Sequence, residues 1–159
     1  MTQLEFFRRE KGLNQIQLAE LANVEQVRIS AFETGKSLID YARIKTLCRL
    51  AKALDVKIYS ILSTELGEML KSVSRLGECK HDTWFDGFRI SEMRKKMKMT
   101  QQDVADELFV TQSKVAKWES TGVESLNLYT ICQLCICLDC HPCDLIDDKN
   151  LRTELRGLL

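Results

Sequence analysis

Between positions 132 and 143 stand six residues of the types that bind metals or do thiol chemistry: Cys132, Cys135, Cys137, Cys140, His141 and Cys143. A structural zinc needs four nitrogen or sulfur ligands converging on one point. Much of this stretch has the pattern of a helix, and residues spread around a helix cannot all converge. Cys135, Cys137 and Cys140 also fall where an earlier stretch of the chain carries Ala51, Ala53 and Val56. They are therefore expected as small core residues, with no metal and no cofactor. Thiol-based sensing is the alternative chemistry for the cluster. Of the two histidines, His81 lies between the repeated segments described below and His141 beside the cysteines. No serine or cysteine sits in a catalytic setting and no glycine-rich phosphate loop is present, so enzyme activity has no residue-level support.

A second set of polar residues has a clearer geometry. Val115 and Trp118 are three apart and mark the inner face of a helix, which turns Gln112, Ser113, Lys114 and Lys117 outward. That face is wholly polar; on a lone helix it would be read as solvated surface. The composition around it is globular: 45% hydrophobic and 29% charged residues, with one proline and seven glycines leaving little material for β-hairpin turns. An all-α chain is expected. Lysine plus arginine (23) equals aspartate plus glutamate (23), so an anionic partner would require the basic residues to be segregated on one surface. No apolar run approaches the roughly 20 residues of a membrane span, and Met1 to Glu10 is charged rather than signal-like. A cytoplasmic protein is expected, its seven cysteines reduced and without a structural disulfide.

The elements that position these residues occur twice. Arg8, Gln15, Ala19, Val24, Gln26 and Glu33 recur as Arg94, Gln101, Ala105, Val110, Gln112 and Glu119, at a constant offset of 86 (94−8, 101−15, 119−33). In the second copy, Phe88, Ile90, Met93 and Met97 predict a first helix. Thr100 caps a second with Asp103 three positions on, Thr111 caps a third, Asn127 to Leu138 forms a fourth, and Pro142 opens a short fifth through Ile146. In the first copy Leu4 and Phe7 anchor helix one, Asn14 caps helix two, Gln26 to Phe32 is helix three, and Tyr41 to Leu54 is a long fourth helix. Phe32 to Ala51 takes 19 steps where Trp118 to Cys135 takes 17, so the first copy has about two extra residues after Gly35 and a different turn before helix four. Leu62, Leu66, Met69, Leu70, Val73 and Leu76 predict an amphipathic helix joining the copies and ending at Gly77. Its stripe must be covered by the domains it joins or by a second copy of the chain in a homodimer. Trp84, Phe85 and Phe88 read as core or interdomain packing. The resulting division is 1–62, first domain; 63–83, helical linker; 84–147, second domain; 148–159, tail.

The repeated unit resembles the Cro/Xre, lambda-repressor-like helix-turn-helix family. The resemblance rests on Arg94, the run Thr100-Gln101-Gln102-Asp103-Val104-Ala105, then Val110 to Val115, and Trp118-Glu119 followed by Gly122. In the first copy it rests on Arg8, the run Asn14 to Glu20, Gln26, Ile29 and Phe32 to Lys36. It implies two tandem five-helix DNA-binding domains joined by an amphipathic helix. It further implies structural ion pairs Arg8–Glu33 and Arg94–Glu119, and a phosphate at the helix starts Gln15 and Gln101. The third helix of each copy would lie in the major groove of double-stranded DNA. Gln26 and Gln112 would then meet a base, since an amide pairs bidentately with adenine N6 and N7. Val27 would touch a thymine methyl, Ser113 a base or the backbone, and Arg28, Lys114 and Lys117 guanine or phosphate, with Thr111 at the same helix start. The second copy, with Lys95, Lys96, Lys98, Lys114 and Lys117, is expected to bind more strongly than the first, which has Glu25 at its cap and Ala31 opposite Lys117.

The resemblance thus implies a transcriptional regulator, a repressor or autoregulator of a bacterial, phage or mobile-element operon. Two such domains on one chain would act as a covalent pseudo-dimer. The competing reading is a protein-binding adaptor, antitoxin-like, in which one or both repeats have lost DNA affinity; Glu25 and the zero net charge favour it.

Overall fold

The computed structural model describes residues 1–77 and 89–159. Trp84, Phe85, Phe88, His81 and the end of the expected linker, 78–83, lie outside the described residues. Among those described, every regular element is helical. Polar caps set most of the starts. Thr2 accepts the Glu5 N–H at the head of α1 (Gln3–Glu10), and a reciprocal box of Asn14 and Gln17 opens α2 (Gln15–Ala22). After α3 (Gln26–Glu33) come α4 (Ile44–Leu54), α5 (Ile58–Ile61) and α6 (Thr64–Ser74), the last capped by Ser63. The second half repeats the order: α7 (Arg89–Lys96), α8 (Gln101–Glu107) behind a Thr100–Asp103 box, α9 (Gln112–Thr121) behind Thr111, α10 (Leu128–Leu138) behind Asn127, α11 (Pro142–Leu145) and α12 (Lys149–Leu158). Asn23, Asp55 and Asp139 close α2, α4 and α10 in the left-handed conformation (φ 50°, 56° and 47°), which a short polar side chain tolerates.

The two-residue difference between the copies is spent just before α4. In the first half α3 stops at Glu33 and Gly35 turns the chain at φ 73°, whereas α9 runs on to Thr121 before Gly122 turns it at φ 76°. Single 3₁₀ turns, Ile39–Tyr41 and Val123–Ser125, then lead into α4 and α10. The expected start of the fourth helix at Tyr41 is therefore corrected to Ile44. Ala42 and Arg43 are extended, because the Ala42 carbonyl accepts the Leu128 N–H and Arg43 forms an isolated antiparallel bridge with Asn127. Met97 is likewise not on the inner face of the first helix, since α7 ends at Lys96 and Met97 is exposed.

Ile44, Leu47, Leu50, Ala51 and Leu54 are buried on α4, as are Leu128, Ile131, Leu134, Cys135 and Leu138 on α10. Leu66, Leu70 and Val73 of α6 are buried too, and α6 packs on α5 and on α10 of the other half. In return α12, with Leu151 and Leu155 buried, packs on α4. Each such leucine contributes roughly 1.5–3 kcal/mol by leaving water. The stripe that could have joined two chains is thus covered within one chain. Residues 148–159, expected as a tail, supply the cap Asp148 and the helix that covers α4.

Cys48, Cys132, Cys135, Cys140 and Cys143 are buried and Cys137 is half-buried. Burial pushes the thiols of Cys48 and Cys132 up to about 12, which suppresses the reactive thiolate. Among the described residues no group of three or more His, Cys, Asp or Glu is arranged to hold a metal.

Candidate nucleic-acid interface

In each half a buried ion pair ties the first helix to the end of the third. Arg8 Nε donates to Glu33 Oε1 at 2.6 Å and Nη2 to Oε2 at 2.8 Å, while Nη1 donates to the Leu13 carbonyl at 2.7 Å. Arg94 does the same with Glu119, at 2.5 and 3.2 Å, and with the Met99 carbonyl at 2.8 Å. These are bidentate guanidinium–carboxylate contacts with the remaining donor capacity directed at the loop before the second helix. Burial alone would push both carboxyls up. Hydrogen bonds from Arg8 and Gln15 nevertheless hold Glu33 below its usual range, with the charges of Arg8 and Arg9 adding to the effect. Arg94 and Gln101, with Lys95 nearby, do so for Glu119. The hydrogen bond to the carboxylate, followed by its charge, raises the arginines in turn.

From the carboxylate a chain of side chains runs outward to the third helix. Gln15 Nε2 donates to Glu33 Oε2 at 2.9 Å, and Gln26 Nε2 donates to Gln15 Oε1 at 2.9 Å. The second half reproduces it: Gln101 Nε2 to Glu119 Oε2 at 2.8 Å, Gln112 Nε2 to Gln101 Oε1 at 2.6 Å. The ordered carboxylate fixes which way the first amide faces, and that amide fixes the second. Gln26 and Gln112 are left with one carbonyl oxygen and one N–H for an outside partner, the donor–acceptor pair that complements the major-groove edge of adenine.

The neighbouring positions complete a polar face. Val27 is 74% exposed and Arg28 is exposed beside it on α3; Thr111, Ser113, Lys114 and Lys117 are exposed on α9. Thr111 also spends an acceptor on the Lys114 N–H, and the Lys114 ammonium leans to 5.7 Å from the Trp118 ring centroid. Glu25 precedes α3 without a side-chain capping bond. The structure therefore joins Arg8, Glu33, Gln15 and Gln26 into one network and Arg94, Glu119, Gln101 and Gln112 into another, and puts the remaining candidates on the outer surface of the same helices.

Sequence reasoning missed two residues next to this face. Glu25, Val27, Arg28 and Ala31 line a groove whose other wall includes Tyr41 and Arg43. Arg43 is exposed there because it lies in extended chain rather than in a helix. The missing signal was a capping residue: nothing between Tyr41 and Arg43 marks a helix start, and the apolar periodicity of α4 runs smoothly back into them.

Comparison with known families agrees with this geometry. A family model described as a Cro/C1-type HTH DNA-binding domain matches residues 89–150, and one described as helix-turn-helix matches residues 4–61. No curated protein and no solved structure matches the chain.

Proposed function

The chain belongs to the Cro/C1-type helix-turn-helix family, with two such domains in tandem, and on that premise we propose that it is a sequence-specific regulator of transcription that reads double-stranded DNA through α3 and α9. The observation that supports this most is the duplicated relay from ion pair to Gln26 and Gln112. It holds an amide in a fixed orientation on an exposed helix face, as base recognition needs and a solvated face does not. Gln15 and Gln101, at the first positions of α2 and α8, sit where a phosphate would meet the backbone N–H groups of a helix start. Arg28, Lys114 and Lys117 would add phosphate or guanine contacts, Val27 and Ser113 nearby base or backbone contacts, with Thr111 at the head of α9. Regulation is by occupancy of an operator, in the cytoplasm, with DNA as the partner. No helix among the described residues is long and apolar enough to cross a membrane.

The test is selection of bound duplexes from a random pool at about 0.15 M salt, since lower salt inflates non-specific binding. Enrichment of a defined motif supports the proposal. Gln112→Ala combined with Lys114→Ala should abolish the preference contributed by the second domain while leaving its melting curve unchanged, both side chains being exposed. A protein-binding adaptor is favoured by Glu25 at the head of α3 and by the exposed Val27. A folded protein that enriches no motif would decide for it.

A further inference from the structure

The way the two halves meet carries information about the DNA they would share. In a two-fold arrangement, residue i of one unit contacts j of the other and j contacts i; in a translated one the contacts are one-way. Arg43 and Asn127 occupy the same place in the two copies, each immediately preceding the long helix, and they pair with each other in an antiparallel bridge. On either side of that bridge, the turn before each long helix touches the start of the opposite long helix. Tyr41, in the turn before α4, meets Tyr129, the second residue of α10, with ring centroids 6.1 Å apart. Glu124, in the turn before α10, meets Lys45, the second residue of α4, at 2.6 Å.

The outer layer obeys the same rule. α6 and α12 are equivalent helices, with buried leucines three and seven positions after their caps: Leu66 and Leu70 after Ser63, Leu151 and Leu155 after Asp148. Each crosses to the long helix of the opposite half, α6 to α10 and α12 to α4. Contacts of one-way type would not pair an N-cap with its own counterpart, nor exchange both last helices.

We infer that the two halves are related by a local two-fold axis through the Arg43–Asn127 bridge, so that one chain occupies one operator of two inverted, non-identical half-sites. This rests on the DNA-reading function proposed above. A two-fold between the domains turns the second reading helix to face the groove in the opposite strand sense, which makes the half-sites inverted rather than direct repeats. Because Gln26 is followed by Val27 and Arg28, while Gln112 is followed by Ser113 and Lys114, the two arms read different sequences. The operator is then an imperfect palindrome with a fixed direction.

The experiment uses the full chain and duplexes built from the two selected half-sites in inverted and in direct order, with native mass spectrometry of the complexes. The expected result is one chain per two-part duplex and preference for the inverted order. Gln26→Ala should relax one arm only and Gln112→Ala the other, each weakening binding to the intact operator by roughly 5- to 150-fold. Two chains per two-part site, equal or tighter binding to direct repeats, or both variants relaxing the same arm would each overturn the inference while leaving DNA reading in place. Failure to bind any duplex would remove the DNA reading, and this inference with it.

Discussion

At the scale of single residues, the decisive feature is a charge that has been made rigid. Glu119 is buried, accepts two bonds from Arg94 and one from Gln101, and through Gln101 orients Gln112. Removing one member of a buried pair leaves the other without compensation, at a cost of about 3–5 kcal/mol. Glu119→Ala should therefore lower the stability of the second domain by that order at neutral pH, measured by chemical denaturation. The carboxyl is held below its ordinary value near 4.5. Its contribution is consequently complete above that value and lost as the pH falls through the depressed one. The gap between variant and parent should shrink over that acid range, and a pH-independent gap would count against the ion pair as its source. Arg8, Arg94, Glu33 and Glu119 were legible in the sequence from their recurrence and the family pattern. The amide–amide bonds were not, because Gln15 and Gln26 are eleven residues apart and only the packed angle between α2 and α3 brings them together.

At the scale of elements, caps did most of the specifying. Thr100 and Asp103 accept each other's backbone N–H groups at the head of α8, and the bonds from Thr100 hold the Asp103 carboxyl below its usual range. Thr100→Ala should cost about 1 kcal/mol, a loss of a few degrees in melting temperature, and should weaken DNA binding as well, since the same helix start presents Gln101. Where a cap was written into the sequence, as at Asn14, Thr100, Thr111 and Asn127, the helix begins there. Where none was, as before α4, periodicity alone ran the helix three residues too far back. The residues it absorbed, Tyr41 to Arg43, instead belong to the contact between the halves.

At the scale of the whole molecule, the halves depend on each other. α12 packs on α11 of its own half and on α4 of the first, with Leu155 fully buried. Leu155→Ala should therefore cost about 2–5 kcal/mol and should raise hydrogen exchange at the amides of α4, over a hundred residues away in sequence. Exchange confined to α12 would argue that the halves are independent. The apolar stripe of α6 told from sequence that something must cover it, but a stripe does not name its partner; only the reciprocal crossing of α6 and α12 does. That crossing has a genetic corollary. If both arms of one operator sit on one polypeptide, as inferred above, no subunits exchange on it, and a chain crippled in one arm cannot poison an intact neighbour. Mutant alleles should accordingly be recessive where those of an exchanging dimer are dominant, and operator occupancy should follow gene dosage to the first power rather than the second.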